Sequence, residues 1–96
     1  MKHYFVAQIR IHDNDEYEKY LQGFDDIFSK YKGKYLAIDE SPTLLEGTWD
    51  YTKSVLVEFN TKDEFEAWYY SDDYQKILTY RLRAAKCDTI LLEGLE

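Results

Sequence analysis

The sequence predicts an α+β fold in which four strands form one antiparallel sheet and helices cover one of its faces. Two observations support this prediction. Strand-like and helix-like patterns alternate in the order β-α-β-β-α-β along the 96 residues. The two halves also align at an offset of 48 residues, which places Asp15-Glu16-Tyr17-Glu18 on Asp63-Glu64-Phe65-Glu66. Two βαβ halves in a short chain are typical of a ferredoxin-like sheet, so we expect residues 1–96 to form a single ferredoxin-like domain.

The first half begins with a strand and a helix. Residues 4–12 alternate between an apolar and a mixed face, which predicts a strand that is buried on one side. Asp13 then precedes Glu16 by three residues, the spacing at which a carboxylate caps the free N–H groups of a helix start. Apolar residues recur at helical spacing as far as Tyr31, and we expect Gly33 to end the helix.

The middle of the chain predicts further strands. KYLAI at 34–38 is strand-like, DESP at 39–42 contains the only proline and predicts a turn, and TLLEG at 43–47 is expected to continue as a strand. The segment 34–47 is therefore predicted to be a bent strand or a hairpin. SVLVEF at 54–59 alternates apolar and polar residues and predicts the next strand of the sheet.

The second half repeats the pattern of the first. Thr61 and Glu64 form a second capping box, and Ser71 before two aspartates predicts a new helix start, so we expect the helix to break there. CDTILLEG at 87–94 is the last predicted strand. Its LLEG sequence repeats residues 44–47, which we interpret as two similar strand endings rather than as a repeated site.

Composition and charge exclude several classes of partner. Nineteen acidic and twelve basic residues give a formal charge of −7, which repels nucleic acid and anionic lipid. No run approaches the roughly 20 apolar residues of a membrane span, and residues 1–13 lack the pattern of a signal peptide. We therefore expect a cytoplasmic protein that binds neither nucleic acid nor membrane. The single Cys87 permits no internal disulfide, in agreement with a reducing compartment.

The histidines and the cysteine give no reason to expect a metal or a cofactor. His3 and His12 are the only histidines, and no cluster of Cys and His has the spacing of a metal site. His12 beside Asp13 is interpreted as an exposed imidazole at a helix start, and Cys87 as a small buried apolar residue.

One face of the predicted sheet is left without helices. It mixes apolar and polar residues from two strands, namely Val6, Gln8, Arg10, Ser54, Leu56 and Glu58. Such a face is too apolar to be a favourable solvent surface, and the simplest cover is a second copy of the same sheet in a two-fold homodimer. Arg10 and Glu58 occupy equivalent positions in the two halves, so we expect them to form an ion pair.

Several segments resemble one known family across most of the chain. They are Tyr4, Asp13, Tyr17 and Tyr20, Gly33 with Tyr35-Leu36-Ala37, LEGTW at 45–49, VLVEF at 55–59, S-x-x-Y-Q at 71–75 and Arg81. This pattern, running from about Tyr4 to Gly94, resembles the domain-of-unknown-function family 1330 (DUF1330). The sequence departs from it at Ile38, where the family often has a basic residue, and at Lys53, where it often has Arg.

The resemblance implies a dimeric α+β barrel, in which two ferredoxin-like units pack sheet to sheet. The wider superfamily includes small monooxygenases, muconolactone isomerases and haem-degrading enzymes. The haem-degrading relatives depend on a helical histidine, and neither predicted helix contains one. The family itself has no established reaction, so the resemblance implies the fold and the dimer but no activity.

A candidate site follows from the expected topology. Arg81, late in the second helical segment, is expected to lie near the 46–53 connection and the end of the first strand. An aromatic cleft with an arginine and a carboxylate is then predicted at that edge. Its candidate residues are His12, Tyr17, Glu46, Trp49, Tyr74 and Arg81. The structural alternative is that Arg81 pairs with an acid and that Trp49 plugs the end of the barrel.

Two classes of function remain open. One is a small enzyme, a cofactor-independent oxygenase or an isomerase acting on a planar organic acid. Arg81 would orient the anion, Glu46 or His12 would move a proton, and Trp49 or Tyr74 would stack on the ligand. The other is a non-catalytic dimer that serves as a binding or interaction module. An open cleft favours the first class, and a cleft filled by side chains favours the second.

Overall fold

The computed structural model describes residues 1–95 and has the predicted order of elements. They are β1 (His3–Ile11), α1 (Asn14–Phe28), β2 (Lys34–Asp39), β3 (Lys53–Phe59), α2 (Lys62–Tyr69), α3 (Asp72–Ala84) and β4 (Ala85–Glu93). The sheet has the order β2-β3-β1-β4, and every neighbouring pair is antiparallel. This is a ferredoxin-like α+β fold, as the sequence predicts. Among residues 1–95, no helix combines the length and the apolar character needed to cross a membrane.

Side-chain caps start all three helices. The backbone N–H of Glu16 donates to the Asp13 carboxylate, and the N–H of Glu64 donates to the Thr61 hydroxyl, both at 3.1 Å. Ser71 accepts from the N–H of Tyr74 at 3.2 Å and begins α3. Each cap stabilises its helix by about 1 kcal/mol. The predicted break at Ser71 is therefore confirmed, and it separates α2 from α3.

The inner face of the sheet carries an aromatic core. Phe5, Ala7 and Ile9 of β1 alternate toward the helices, and Val57 and Phe59 of β3 lie beside them. The helices cover them with large rings and one leucine, namely Tyr20, Phe24, Phe28, Phe65, Trp68, Tyr74 and Leu78. Most of these rings meet at an edge or a tilt, the arrangement that aromatic quadrupoles favour.

Gly33 has a different role from the one predicted. Helix α1 ends at Phe28, and Gly33 does not adopt a positive φ, so it is not a left-handed helix cap. A Cβ atom at Gly33 would lie 2.5 Å from Cζ of Phe28 and 2.8 Å from Cε1 of Phe59. Glycine is needed here because two core rings occupy the space of a side chain.

The segment between β2 and β3 corrects the prediction for residues 43–47. TLLEG forms no strand, and the segment 40–52, which we call the arm, has no regular structure. Both edges of β3 are already paired, with β1 and β2, so the arm finds no strand edge there. Pro42 removes a backbone donor and Gly47 adopts a φ of +90°, both unfavourable for a regular strand. The two LLEG sequences are therefore not equivalent strand endings, because only the second belongs to a strand.

The predicted ion pair between Arg10 and Glu58 is wrong. The register pairs Glu58 with Tyr4, six residues from Arg10, which is about 20 Å along a strand. Arg10 and Glu58 are equivalent in the internal duplication, but in antiparallel neighbours only the central equivalent positions, Ala7 and Val55, lie opposite each other. Arg10 instead donates to Asp50 of the arm at 2.7 Å, and Lys2 donates to Glu58 at 2.9 Å.

Within residues 1–95, no helix or strand covers the apolar centre of the outer face of the sheet. Val6 lies opposite Leu56 on one side and Ile90 on the other, and Tyr4 lies opposite Leu92. Ile90 and Leu92 are 55% and 48% exposed. We call these five residues the open-face patch. The sequence predicted this apolar surface from residues of β1 and β3, and the structure adds Ile90 and Leu92 of β4 to it.

We expect Gly33→Ala to lower the free energy of unfolding by about 1–3 kcal/mol, because the added methyl group overpacks two core rings. Urea denaturation followed by tyrosine and tryptophan fluorescence measures this change. Lys32→Ala, at the exposed neighbouring position, is the matched control and should change stability by less than about 0.5 kcal/mol. Equal stability of Gly33→Ala and the wild type would contradict the close approach.

Candidate functional site

A cavity lies between α1 and the inner face of the sheet. Its mouth is formed by partly exposed side chains of α1 and of the edge strand β2, namely Leu21, Tyr35 and Ile38. Its walls are mainly apolar and come from the sheet and the helices, namely Phe5, Ala7, Ile9, Phe24, Val55, Val57 and Trp68. The centres of water molecules can occupy about 40 Å³ of it. Because one water molecule needs about 10–15 Å³ on this measure, the cavity has space for a few water-sized groups.

A bulge in β2 shapes the mouth of the cavity. The register of β2 against β3 shifts between Tyr35 and Ala37, so Leu36 is an extra residue. Because side chains alternate along a strand, the extra residue places both Tyr35 and Ile38 opposite inward-facing valines of β3. Without the bulge, Ala37 would face inward and Ile38 would face the outer side of the sheet.

Arg81 brings a positive charge into this apolar cavity. Its residue surface is only 2% exposed, and its Nε and Nη1 atoms have no hydrogen-bond partner within residues 1–95. No carboxylate in that range lies within 4.0 Å of the guanidinium, so the predicted alternative of a pairing acid is not observed there. The ring of Tyr20 lies 5.7 Å from the guanidinium carbon, a cation–π contact that offsets only part of the cost of burial.

Three tyrosine hydroxyls surround the arginine. Tyr17 and Tyr20 line the cavity, and Tyr74 lies behind Tyr20 with its hydroxyl 2.9 Å from that of Tyr20. Burial raises the pKa of Tyr17 to about 12, although the nearby Arg81 acts in the opposite direction. Burial also raises the pKa of Tyr20 and that of Tyr74. All three hydroxyls are therefore neutral at physiological pH and able to donate hydrogen bonds.

Lys53 is the second cationic side chain that lines the cavity. Its Nζ donates to the Tyr17 hydroxyl at 3.4 Å and lies 5.2 Å from the centre of that ring. Burial lowers the pKa of Lys53, and Glu40 at the start of the arm raises it by a smaller amount. Lys53 was not predicted as a site residue, although its position could have indicated it. It precedes Val55, Val57 and Phe59 by steps of two residues and therefore shares their inward face.

Only part of the predicted cleft comes together. Arg81 and Tyr17 line the cavity, and Tyr74 reaches it through Tyr20. Glu46 is exposed on the arm, in a separate surface depression with Trp49. His12 is exposed as well, and its backbone N–H donates a 2.9 Å hydrogen bond to the carbonyl of Ala84.

The path of the arm explains why Glu46 and Trp49 are absent from the cavity. Two contacts tie the arm to the sheet: Asp50 accepts a hydrogen bond from Arg10, and the Tyr51 hydroxyl donates one to Asp88. Arg10 and Asp88 belong to β1 and β4, and their side chains lie on the outer face of the sheet. Trp49 is half-buried against the ring of Tyr51, 5.1 Å away. The arm therefore lies on the outer side of the sheet, whereas the cavity lies on the helix side.

The chemistry available in the cavity is that of an anion site. Its lining contains two cations and three tyrosines, and no carboxylate or imidazole among the residues that the structure describes. Within residues 1–95, no group of three or more His, Cys, Asp or Glu residues has the arrangement of a metal site. Such a lining can bind and polarise a small anion and can donate a proton from Tyr17.

Comparison with known proteins places the chain among ferredoxin-like structures. A family model described as a domain of unknown function (DUF1330) matches residues 2–95. A protein of unknown function from Rhodopseudomonas palustris superposes with a TM-score of 0.80 at 16% identity, over 99% of this chain and 83% of that one. A dimeric ferredoxin-like protein of unknown function from Jannaschia sp. CCS1 gives 0.72 at 9% identity, over 98% and 100%.

A third similar structure is that of an enzyme. SnoaB from Streptomyces nogalater, described as a cofactor-independent oxygenase, superposes with a TM-score of 0.69 at 14% identity, over 99% of this chain and 94% of that one. No curated protein sequence matches the chain. At these identities the structural likeness shows the fold alone.

We expect Arg81→Met to raise the free energy of unfolding of the ligand-free protein by about 1–2 kcal/mol, because it removes a buried charge without a carboxylate partner. Urea denaturation of dialysed protein measures the change. Arg83→Met, on the exposed side of the same helix, is the matched control and should change stability by less than about 0.5 kcal/mol. A large loss of stability in Arg81→Met would indicate that the guanidinium has a stabilising partner.

Proposed function

The chain belongs to the DUF1330 family of domains of unknown function, and we propose that it binds a small organic acid in the cavity between α1 and the sheet. The observation that carries this proposal is the buried Arg81 guanidinium, which has two nitrogens, Nε and Nη1, without a hydrogen-bond partner and no carboxylate within reach in residues 1–95. A bound carboxylate would accept hydrogen bonds from the guanidinium and supply the missing negative charge.

The energetics favour a carboxylate as the ligand. Burial of an unpaired charge costs several kcal/mol, and a ligand that pairs with it recovers part of that cost on binding. The planar fork of an arginine matches the two oxygens of a carboxylate. The apolar walls and the rings of Tyr20 and Phe24 suit a flat carbon skeleton behind the carboxylate.

A cofactor-independent enzyme is the first form of this proposal. The fold is shared with SnoaB, which is described as a cofactor-independent oxygenase. In the cavity, Arg81 would orient the acid, and Tyr17 and Lys53 are the groups able to move a proton near it. Glu46 and His12, the proton-transfer residues predicted from the sequence, are exposed outside the cavity and are not part of this proposal.

A non-catalytic binding module is the second form. The observation that favours it is the absence of a carboxylate or an imidazole from the cavity lining within residues 1–95, because these groups are the commonest general bases. Both forms require the same carboxylate site at Arg81. They differ in whether the bound acid is chemically changed.

We also propose that the protein is a homodimer that pairs through the outer face of the sheet, as in a dimeric α+β barrel. The open-face patch supplies apolar area that a second copy would bury by two-fold symmetry. The similar protein from Jannaschia sp. CCS1 is described as dimeric. The arm supports the same proposal, since it lies beside this face and carries Leu45, which is 88% exposed.

Two further expectations from the sequence complete the proposed function. Residues 1–96 would form one ferredoxin-like domain, so that each protomer contributes a whole cavity. The compartment would be the cytoplasm, which agrees with Cys87 being a free thiol.

We expect aromatic and short aliphatic carboxylates to raise the Tm of the wild type, and their neutral amides to have a much smaller effect. Arg81→Lys keeps the charge but loses the fork, and should weaken carboxylate binding about tenfold or more. Thermal-shift titration with benzoate and benzamide measures both effects, with Arg83→Lys as the control at an exposed arginine of α3. Equal shifts for acid and amide would argue against an anion site at Arg81.

We expect the wild type to sediment as a dimer at micromolar concentration and Leu92→Lys to sediment as a monomer, because the new charge lies within the apolar patch of the proposed interface. Leu82→Lys is the matched control. It makes the same change at a leucine that is 61% exposed on α3, and it should remain dimeric. Analytical ultracentrifugation distinguishes these states, and a monomeric wild type would overturn the proposed dimer.

A further inference from the structure

We propose that Lys53 is a nucleophilic amine that forms an imine with a small 2-oxo acid whose carboxylate is held by Arg81. This inference rests on the proposed carboxylate site and adds the second functional group of its ligand. Lys53 would be a catalytic residue, since it would form a covalent bond to the substrate. The substrate class is thereby narrowed from organic acids in general to acids with a carbonyl next to the carboxylate.

The geometry brings the required groups to one cavity. Lys53 enters from the start of β3 and Arg81 from the last turn of α3, and both line the same space. Tyr17 lies near both groups. Its hydroxyl is 3.4 Å from Nζ of Lys53, and the charge of Arg81 acts to lower its pKa. A 2-oxo acid has its carboxylate and carbonyl on adjacent carbon atoms, which suits a small cavity with two cationic groups.

Lys53 differs from several surface lysines in having no carboxylate partner within the described residues. Lys2, Lys19 and Lys30 each have a carboxylate within 4.0 Å at the surface. Lys53 has none within the described residues, and its one side-chain hydrogen bond goes to a neutral phenol. An amine without a carboxylate partner gains little from being protonated, so more of it is present in the nucleophilic form.

The surroundings of Lys53 act on its protonation from several elements. Arg81 contributes a positive charge from α3, α1 contributes the neutral hydroxyls of Tyr17 and Tyr20, and β2 contributes that of Tyr35. Glu40 of the arm is the carboxylate whose charge acts on Lys53. Burial outweighs Glu40, and the pKa of Lys53 is lowered. Lys53 is therefore expected to react at a lower pH than exposed lysines.

The reaction balances without an added oxidant or reductant. The lone pair of the neutral Nζ attacks the carbonyl carbon and forms the C–N bond, while a proton passes from nitrogen to the carbonyl oxygen to give a carbinolamine. Tyr17 donates a proton to the departing hydroxyl, which leaves as water, and takes a proton back from the nitrogen. The products are one imine and one water. An imine makes the neighbouring C–H bonds of the ligand more acidic, which prepares the acid for proton abstraction.

Reductive trapping tests this proposal. The protein is incubated with pyruvate, reduced with sodium borohydride, and analysed by intact mass and peptide mapping. We expect one reduced pyruvate adduct on Lys53 and at least about tenfold less on Lys76, an exposed lysine of α3, at neutral pH, because only Lys53 shares a cavity with the Arg81 guanidinium that would hold the carboxylate in place. Lys53→Arg should lose the adduct, and Lys76→Arg should keep it.

The peptide map of the wild type identifies the modified lysine even where Lys53→Arg does not fold. Arg81→Met should reduce trapping at Lys53 at least about tenfold, whereas Arg83→Met should not change it.

Propionate, which has the carboxylate but no carbonyl, separates the imine proposal from the carboxylate-site proposal. A thermal shift with propionate but no adduct at Lys53 overturns the imine and leaves the carboxylate site. Adducts spread equally over surface lysines also overturn the imine, and the absence of both shift and adduct overturns both proposals.

Discussion

Arg81 places a permanent charge in a core that is otherwise built from aromatic rings, and the surrounding structure has to accommodate it. Three features do so without a carboxylate from the described residues. The ring of Tyr20 faces the guanidinium. Arg81 lies in the last turn of α3, where the helix dipole favours a cation. Burial lowers the pKa of Arg81, but Tyr74, Tyr20 and Cys87 raise it by more, so the group stays charged. Within residues 1–95, the Nε and Nη1 atoms of Arg81 remain without a hydrogen-bond partner.

The backbone fixes this arginine relative to the rest of the cavity. Helix α3 passes into β4 without a loop, and the carbonyl of Ala84 at the end of α3 accepts from the backbone N–H groups of His12 and Asp13, at 2.9 and 3.1 Å. Asp13 is the cap of α1. The end of α3 and the start of α1 are therefore tied to one carbonyl, which holds Arg81 beside Tyr17. His12 thus has a structural contact through its backbone, while its side chain remains at the surface.

The sequence predicted most of the fold because local signals decided it. Capping residues marked the starts of all three helices, and alternation placed Phe5, Ala7 and Ile9 on the buried face. The site was predicted less well, because its members are set by long-range geometry. Arg81 and Tyr17 meet in the cavity because they lie on helix faces turned to the sheet. Glu46 and Trp49 lie elsewhere, and no local pattern tells on which side of the sheet a long arm will pass. Lys53 could have been found from its alternation with Val55, but the sequence analysis noted it only as a position where the family often has Arg.

The bulge in β2 shapes the mouth of the cavity. A shift of the register by one residue exchanges the two faces of a strand. Because Leu36 is an extra residue, Ile38 lies at the mouth of the cavity and Ala37 faces outward. At Ile38 the resembling family often has a basic residue, which in this geometry would stand at the mouth. This chain has an apolar mouth there and keeps its second cation deeper, at Lys53. An amine behind an apolar mouth is better shielded from water than one at the rim, and its neutral form is favoured accordingly. A basic residue at position 38 would attract anions at the mouth, whereas the proposed reaction with a carbonyl requires the shielded amine of Lys53. The position of the cation in the sheet therefore determines which of the two roles it can have.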